Sequence, residues 1–137
     1  CIDSRVSSEL IFDQGIGDIF SARVAGNFVN EDILGSMEFA CKLAGTKLIV
    51  VLGHTSCGAV KGACDGAEMG NLTALLSKIK PAVNAVKEPS DASKRNSSNL
   101  GYVNNVAEKN VHLTIEDIRN RSEILKEMEA NGEIKII

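Results

Sequence analysis

The first five residues, Cys1-Ile2-Asp3-Ser4-Arg5, place a thiol, a carboxylate and a guanidinium at alternate positions. In extended backbone, residues two apart share a face, so Cys1, Asp3 and Arg5 are expected to project together while Ile2 faces the core. Arg5 can hold Asp3 through a bidentate, charge-assisted pair of hydrogen bonds. Taken alone, the same pattern also fits a surface ion pair beside a buried cysteine.

A histidine and a second cysteine, His54 and Cys57, directly follow the aliphatic run KLIVVLG at residues 47–53. This run predicts a strand buried on both faces of a parallel sheet, and ligands collect at the carboxyl ends of such strands. Cys57 is expected near a helix N-terminus, which lowers the pKa of a thiol and favours the thiolate. Taken alone, the pair also fits a strand-end histidine beside a structural cysteine.

Together, Cys1, His54 and Cys57 offer two thiolates and an imidazole, a ligand set that suits tetrahedral zinc. Three protein ligands leave a fourth position open for water, which distinguishes a catalytic zinc site from a structural one. The carboxylate of Asp3 lies two residues from the first ligand, within reach of Arg5. The combined pattern therefore predicts a catalytic zinc site.

The rest of the chain alternates between helical and strand patterns. Gly45 stands where a C-cap glycine belongs, Pro81 interrupts one helix, and Thr114 opens another with carboxylates at its positive end. The alternation predicts an α/β fold with a mostly parallel β-sheet flanked by helices. Helical patterns cover residues 6–12, 32–44, 72–86, 100–111 and 114–130, and strand patterns cover residues 18–25, 47–53 and 134–137.

A length of 137 residues fits one domain, so residues 1–137 are expected to form a single domain. Both ends look truncated. Cys1 lies where a loop should leave a strand, yet no strand precedes it, and residues 134–137 make only half of a buried strand. We therefore expect the chain to be an incomplete domain of a longer protein.

Composition excludes several classes of partner. The net charge of −3 argues against nucleic acid, which is bound by a basic surface, and no apolar run reaches the roughly 18 residues that span a membrane. The four cysteines are too sparse for a disulfide scaffold, and their spacing near a histidine suits thiolate ligands in a reducing compartment. The expected location is the cytoplasm.

The motif CxDxR, followed about fifty residues later by HxxC, resembles the signature of the β-class carbonic anhydrases. The chain is also similar to that family at residues 17–27 (GDIFSARVAGN), 36–40 (SMEFA) and 53–60 (GHTSCGAV). The resemblance implies a Zn²⁺ ion held by Cys1, His54 and Cys57. It also implies reversible hydration of carbon dioxide to bicarbonate and a proton, by attack of zinc-bound hydroxide, in a homodimer or homotetramer.

The resemblance also suggests roles for residues around the metal. Asp3 would accept a hydrogen bond from the zinc-bound hydroxide, and Arg5 would keep Asp3 ionised and off the metal. Arg23 matches an arginine with which some members bind bicarbonate in a closed, regulated state. The substrate-pocket positions of the family match Phe20 and Phe39, for which ordinary core packing is the other interpretation, and Gly58, which would allow close backbone approach.

Two other functions fit the same residues. Relatives of this fold hydrolyse carbonyl sulfide or carbon disulfide, and attack on those linear molecules resembles attack on carbon dioxide. A non-catalytic, zinc-stabilised interaction module would instead have four protein ligands and no exchangeable water.

Overall fold

Helices and a short parallel sheet alternate along the chain, and the computed structural model describes residues 1–137. A π-helical turn (Phe39–Leu43) extends α2, and a 3₁₀ turn (Ala92–Lys94) precedes α6. None of the helices combines the length and the hydropathy that a membrane-spanning segment needs. The helices are α1 (Ser8–Ile11), α2 (Glu31–Glu38), α3 (Gly58–Asp65), α4 (Gly70–Ser77), α5 (Lys80–Ala85), α6 (Leu100–Arg121) and α7 (Glu123–Ala130), and the strands are β1 (Leu48–Ile49) and β2 (Lys135–Ile136).

The two strands lie side by side and run parallel, with Leu48 opposite Lys135 and Ile49 opposite Ile136. The hydrogen bonding continues beyond the strands, because the Val51 N–H donates to the Ile137 carbonyl at 2.8 Å. Between β1 and β2 the chain passes through α3 to α7, the kind of helical crossover that parallel strands require. The predicted α/β fold, a parallel sheet flanked by helices, is confirmed.

The prediction that the first aliphatic strand is buried on both faces is wrong. Ile49 is buried, but Leu48 and Val50 are exposed. Their face of β1 opens onto a cleft of about 610 Å³, which we call the strand-edge cleft; one wall is residues 18–23 and the other is residues 46–48 and 50–52. The aliphatic pattern correctly predicted extended backbone. Whether the second face of the strand is covered depends on residues distant in the sequence, which a local pattern cannot reveal.

The predicted strand at residues 18–25 is also wrong, because this segment has no regular secondary structure. A strand exists only where its backbone pairs with another strand. Residues 18–23 line the strand-edge cleft together with residues of β1, and no backbone hydrogen bond joins the two segments. The segment nevertheless ends at Gly26, which is buried against the core.

The helices differ from the sequence expectation mainly at α6. Residues 72–86 form α4 and α5 with Pro81 in the first turn of α5, and residue 45 has a φ of +84°, as a C-cap glycine should. The predicted break near residues 112–113 is wrong, because α6 is continuous and Thr114 lies inside it. Its buried positions recur every three or four residues through the polar stretch, so packing against the core keeps the helix intact: Val103, Val106, Ala107, Asn110, Thr114 and Ile118.

The break comes instead at Ser122, which separates α6 from α7. The Ser122 hydroxyl oxygen accepts a hydrogen bond from the Leu125 N–H and so caps α7, and the hydroxyl donates to Glu38 Oε1 at 2.6 Å. Ser122 is almost fully buried, so both contacts are shielded from water. The position of the break is therefore set by a contact between distant parts of the chain.

Two apolar clusters form the core, and α6 contributes to both. The first surrounds Cys57 and includes Val60, Ile79 and Val103, and the second includes the strand residues Ile49 and Ile136. Since α6 packs into both clusters, it is the element that relates the Cys57 region to the sheet.

An ion pair between Arg119 and Glu129 links α6, α7 and β2. Arg119 donates to both carboxylate oxygens at 2.7 and 2.8 Å and to the Ile136 carbonyl, and the Ile136 N–H donates to Glu129 Oε1. The hydrogen bonds from Arg119 hold the pKa of Glu129 below its usual range. The ionised carboxylate therefore stabilises the fold above the unfolded-state pKa of about 4.3, and this stabilisation is lost as the pH falls through the lower folded-state pKa.

We expect Glu129→Gln to lower the free energy of unfolding by about 1 kcal/mol at pH 7, because Arg119 is partly exposed and the pair is partly screened. The deficit should shrink as the pH falls below the unfolded-state pKa of about 4.3 and should vanish below the lower folded-state pKa, where the wild-type carboxylate is protonated in both states. Urea unfolding at several pH values measures it. Glu127→Gln, on the exposed side of the same helix, is the control, and a deficit that did not change with pH would contradict the ion-pair explanation.

Candidate metal centre

Cys1, His54 and Cys57 lie together although the first is more than fifty residues from the others. One nitrogen or sulfur ligand atom from each residue lies within 4.8 Å of the others, and the two sulfur atoms are 3.7 Å apart. Cys57 is buried, whereas Cys1 and His54 are partly buried. The group is therefore a shielded cluster of three metal-ligating side chains.

The turn after β1 places His54 and Cys57 through contacts with α6. Gly53 must be a glycine, because a Cβ there would lie 2.6 Å from Val111 Cγ2. The Ser56 N–H donates to Asn104 Oδ1 at 3.1 Å, with Ser56 at a φ of +54°. Cys57 then occupies the N-cap position of α3, as the sequence predicted. Both side chains are thus fixed by the sheet, by α3 and by α6.

The donor atoms of this cluster fit zinc. The Thr55 carbonyl oxygen, 2.9 Å from His54 Nδ1, can only accept a hydrogen bond, so Nδ1 carries the proton and Nε2 has the free lone pair. Nε2 is buried and has no hydrogen-bond partner, as expected of an atom reserved for a metal. Two sulfurs bonded to one tetrahedral zinc at about 2.3 Å would lie about 3.8 Å apart, close to the observed 3.7 Å.

Asp3 and Arg5 form a bidentate pair beside the cluster. Arg5 donates Nε–H to Asp3 Oδ1 at 2.8 Å and Nη2–H to Oδ2 at 2.7 Å, and its backbone N–H also donates to Oδ1. These hydrogen bonds hold the pKa of Asp3 well below its usual range, so the carboxylate is ionised at neutral pH. The Asp3 side chain is only 17% exposed, and Oδ2 lies 3.7 Å from His54 Nδ1. The structure therefore places a fixed negative charge next to the three ligands.

The prediction that Ile2 faces the core is wrong, because its side chain is 59% exposed. Residues 1–5 are not a strand: the Val6 N–H donates to the Asp3 carbonyl at 3.0 Å and closes a turn at Ser4 and Arg5. Cys1 and Asp3 both lie at the metal site, in the segment before and at this turn, which we call the ligand loop (residues 1–5). Cys1 and Asp3 share one side of the chain as expected, although the segment turns at residues 4 and 5 instead of continuing as a strand.

Arg23 contacts the ligand loop in a way that the sequence did not suggest. Its Nε–H donates to the Cys1 carbonyl and its Nη2–H to the Asp3 carbonyl, each at 2.7 Å. The bicarbonate role that the resemblance implied for Arg23 stays a prediction.

Two other residues that support the metal ligands were not expected from the sequence. Asn104 on α6 accepts a hydrogen bond from the Ser56 N–H, and the Gly26 N–H donates to Cys1 Sγ at 3.4 Å. In the sequence, Asn104 could be noticed only as a polar residue next to the buried positions of a predicted helix.

The three residues expected at the substrate pocket lie in different surroundings. Phe20 lines the strand-edge cleft, which also reaches Cys1, and its ring meets that of Phe39 edge to face with centroids 6.4 Å apart. These side chains are 62% and 54% exposed, so the alternative of ordinary core packing does not describe them. Gly58 follows Cys57 directly, and a Cβ there would meet no neighbouring protein atom within 4 Å, so its expected role beside the metal stays a prediction.

Comparison with known proteins identifies the family. The family model described as "Carbonic anhydrase" matches residues 1–137. "Carbonic anhydrase 2" of Mycobacterium tuberculosis is 37% identical over 137 residues, which are 100% of this chain and 64% of that protein. "Carbon disulfide hydrolase" of Acidithiobacillus thiooxidans is 34% identical over 61 residues, 44% of this chain and 28% of that protein. The chain therefore spans somewhat less than two thirds of the Mycobacterium relative.

A solved structure shows the same fold. One of the tetrameric β-carbonic anhydrases from Sordaria macrospora superimposes with a TM-score of 0.80 at 24% sequence identity, covering 99% of this chain and 69% of that one. The parallel sheet, the crossover helices and the Cys-His-Cys cluster thus occur together in a chain whose whole length matches one family. The chain belongs to the carbonic anhydrase family and has the fold of the β-carbonic anhydrases.

Proposed function

We propose that this chain forms the zinc site of an enzyme that reversibly hydrates carbon dioxide to bicarbonate and a proton. One observation carries the proposal: three ligand atoms lie within 4.8 Å of one another, and the lone pair of His54 Nε2 is buried without a hydrogen-bond partner. The ionised Asp3 carboxylate beside them, and the similarity of the whole of this chain to part of a protein named as a carbonic anhydrase, support the same reaction.

In this proposal Cys1, His54 and Cys57 hold the zinc. When bound, zinc supplies a Lewis acid that lowers the pKa of a water molecule at its open position. Asp3 accepts a hydrogen bond from the reacting water and so directs its lone pair toward the substrate. Arg5 occupies both carboxylate oxygens, which keeps Asp3 ionised and restrains it from becoming a fourth ligand. The proton released by the reaction leaves toward solvent.

The strand-edge cleft is the proposed approach for carbon dioxide. Fourteen of its 23 lining residues are hydrophobic, and Cys1 lies among them. Carbon dioxide carries no net charge and makes only weak hydrogen bonds, so a largely apolar passage that reaches the ligand Cys1 suits it. Phe20 lines the strand-edge cleft and is the residue that we propose contacts the substrate.

We also propose that the protein assembles as a homodimer or homotetramer. Several large apolar side chains of the N-terminal region and of the α2 region are exposed, and such patches mark interfaces in proteins that associate. The Sordaria macrospora neighbour, which is described as tetrameric, supports the same assembly. The exposed residues are Leu10, Ile11, Phe12, Ile16, Phe20, Phe39 and Leu43.

Hydrolysis of carbon disulfide or carbonyl sulfide is the second candidate function. It is favoured by the similarity to the protein named carbon disulfide hydrolase, and the same ligands and Asp3 could act on any of these linear molecules. A non-catalytic zinc module is disfavoured, because the cluster offers three ligands and not four. Assays of purified protein with carbon dioxide, carbonyl sulfide and carbon disulfide, side by side, separate the two reactions.

The sharpest test of the proposed mechanism is Asp3→Asn. We expect this variant to keep its zinc and to lose activity by about 100-fold or more. The neutral amide of asparagine is a weaker acceptor than the carboxylate for the hydrogen bond from the reacting water. Stopped-flow hydration of carbon dioxide with a pH indicator measures the rate, and atomic absorption measures the zinc.

The control is Asp117→Asn on the exposed surface of α6, which should retain wild-type activity. Full activity in Asp3→Asn would contradict the role of Asp3. Wild-type protein that contains zinc but hydrates no carbon dioxide would contradict the proposed function itself.

A further inference from the structure

The ligand loop has few attachments to the rest of the chain. Apart from the turn to Val6, its main-chain atoms form hydrogen bonds outside the loop only with Arg23, through the Cys1 and Asp3 carbonyls. The other contacts run through side chains: the Gly26 N–H to Cys1 Sγ, and the close approaches of Cys1 to Cys57 and of Asp3 to His54. One guanidinium therefore holds both carbonyls that flank Ile2.

The two halves of the metal site are held differently. His54 and Cys57 follow β1 and open α3, and the turn between them is tied to Asn104 on α6. Cys1 lies in a loop without secondary structure, and Arg23 itself comes from the segment that lacks a neighbouring strand. Arg23 contacts the Cys1 half and not the histidine half, so its loss should change the positions of Cys1 and Asp3 and leave His54 and Cys57 in place.

From these contacts we propose that Arg23 is a positioning residue, which sets the distance between Cys1 Sγ and the Asp3 carboxylate by holding the carbonyls on either side of Ile2. The inference rests on the proposed zinc site and deepens it. A guanidinium is planar and presents its N–H groups in a fixed fork, so two carbonyls bound to it keep a fixed separation. Arg23 acts through the backbone and touches neither the ligand atoms nor the carboxylate.

Charge and geometry make different predictions for a lysine at this position. A lysine keeps the positive charge but lacks the planar, forked arrangement of N–H groups. It therefore cannot hold the Cys1 and Asp3 carbonyls at the separation that the guanidinium imposes. If Arg23 acts only by its charge, for example on a bicarbonate ion, Arg23→Lys should behave as wild type. If Arg23 acts by geometry, Arg23→Lys and Arg23→Gln should both weaken the site.

The experiment measures zinc affinity by competition with a chromophoric chelator, using the full chain. We expect Arg23→Gln to bind zinc about 10- to 100-fold more weakly than wild type, the range typical of groups that orient metal ligands, with Arg23→Lys closer to Gln than to wild type. In metal-free protein, amide hydrogen exchange at residues 2–6 should accelerate in Arg23→Gln while exchange within α6 stays unchanged.

Arg121→Lys is the matched control, because Arg121 also donates to a backbone carbonyl, that of Val29, from the last turn of α6. It should leave zinc affinity within about twofold of wild type. Wild-type affinity in Arg23→Lys, whatever the result for Arg23→Gln, would overturn the inference, and so would an equal loss in Arg121→Lys. Protein that binds zinc but has no activity would refute the proposed function alone, since affinity and hydrogen exchange still test Arg23.

Discussion

Replacing Cys57 with serine is expected to reduce bound zinc from about one ion per chain to less than about one tenth after dialysis. Cys57 is almost fully buried, and its sulfur lies 3.7 Å from that of Cys1, so a serine oxygen would be the only donor in its place. A hydroxyl is a far weaker zinc ligand than a thiolate, and the shorter side chain leaves the donor too distant. We expect an affinity loss of more than about 100-fold, with a parallel loss of carbon dioxide hydration.

Cys64→Ser provides a matched control on the same helix. Cys64 is a free, partly buried cysteine that packs against the same core cluster as Cys57 but lies outside the metal cluster. Burial raises the pKa of the Cys64 thiol to about 11, so it stays protonated and does not compete for metal. Cys64→Ser should keep full zinc content, and a similar zinc loss in both variants would show that the change disturbs α3 rather than the metal site.

Replacing Gly26 with alanine is expected to destabilise the fold more than any other single methyl addition that we propose. Gly26 has a φ of +80°, and a Cβ there would lie 2.4 Å from Cδ1 and 3.0 Å from Cγ1 of the fully buried Ile79. The backbone cannot shift freely to relieve this contact. Its carbonyl accepts a hydrogen bond from Asn110 Nδ2 at 2.6 Å, and its N–H donates to Cys1 Sγ.

The unfavourable φ and the overpacking together predict a loss of about 2 to 4 kcal/mol in the free energy of unfolding. Urea unfolding of metal-free protein measures this directly, because bound zinc would add its own stabilisation. Zinc affinity should fall as well, since the Gly26 N–H is one of the contacts that orient Cys1.

Gly35→Ala is the control, because the same methyl group is added where nothing lies within 4 Å, in the middle of α2. That change should stabilise the protein by about 0.5 to 1 kcal/mol, since alanine favours helix over glycine. Equal stability changes in the two variants would contradict the explanation from close packing at Gly26.

The grouping of the site's side chains could be predicted from the sequence because it depends on residue types at short spacing. Cys1, Asp3 and Arg5 are near neighbours, as are His54 and Cys57, so each group of side chains is visible in a short stretch of sequence. The N-cap position of Cys57 followed from local signals in the same way. Local sequence also predicted β1, β2 and the C-cap at Gly45, which depend mainly on runs of a few residues.

Tertiary structure alone decided which backbones and faces meet. Residues 18–25 have the composition of a strand but no neighbouring strand to pair with. By contrast, α6 stays helical through its polar middle because Asn110 and Thr114 are buried against the core. The role of Arg23 also depends on the fold, since its two acceptors are main-chain carbonyls about twenty residues away. Every residue has a main-chain carbonyl, so no sequence pattern shows which carbonyls will accept hydrogen bonds from an arginine.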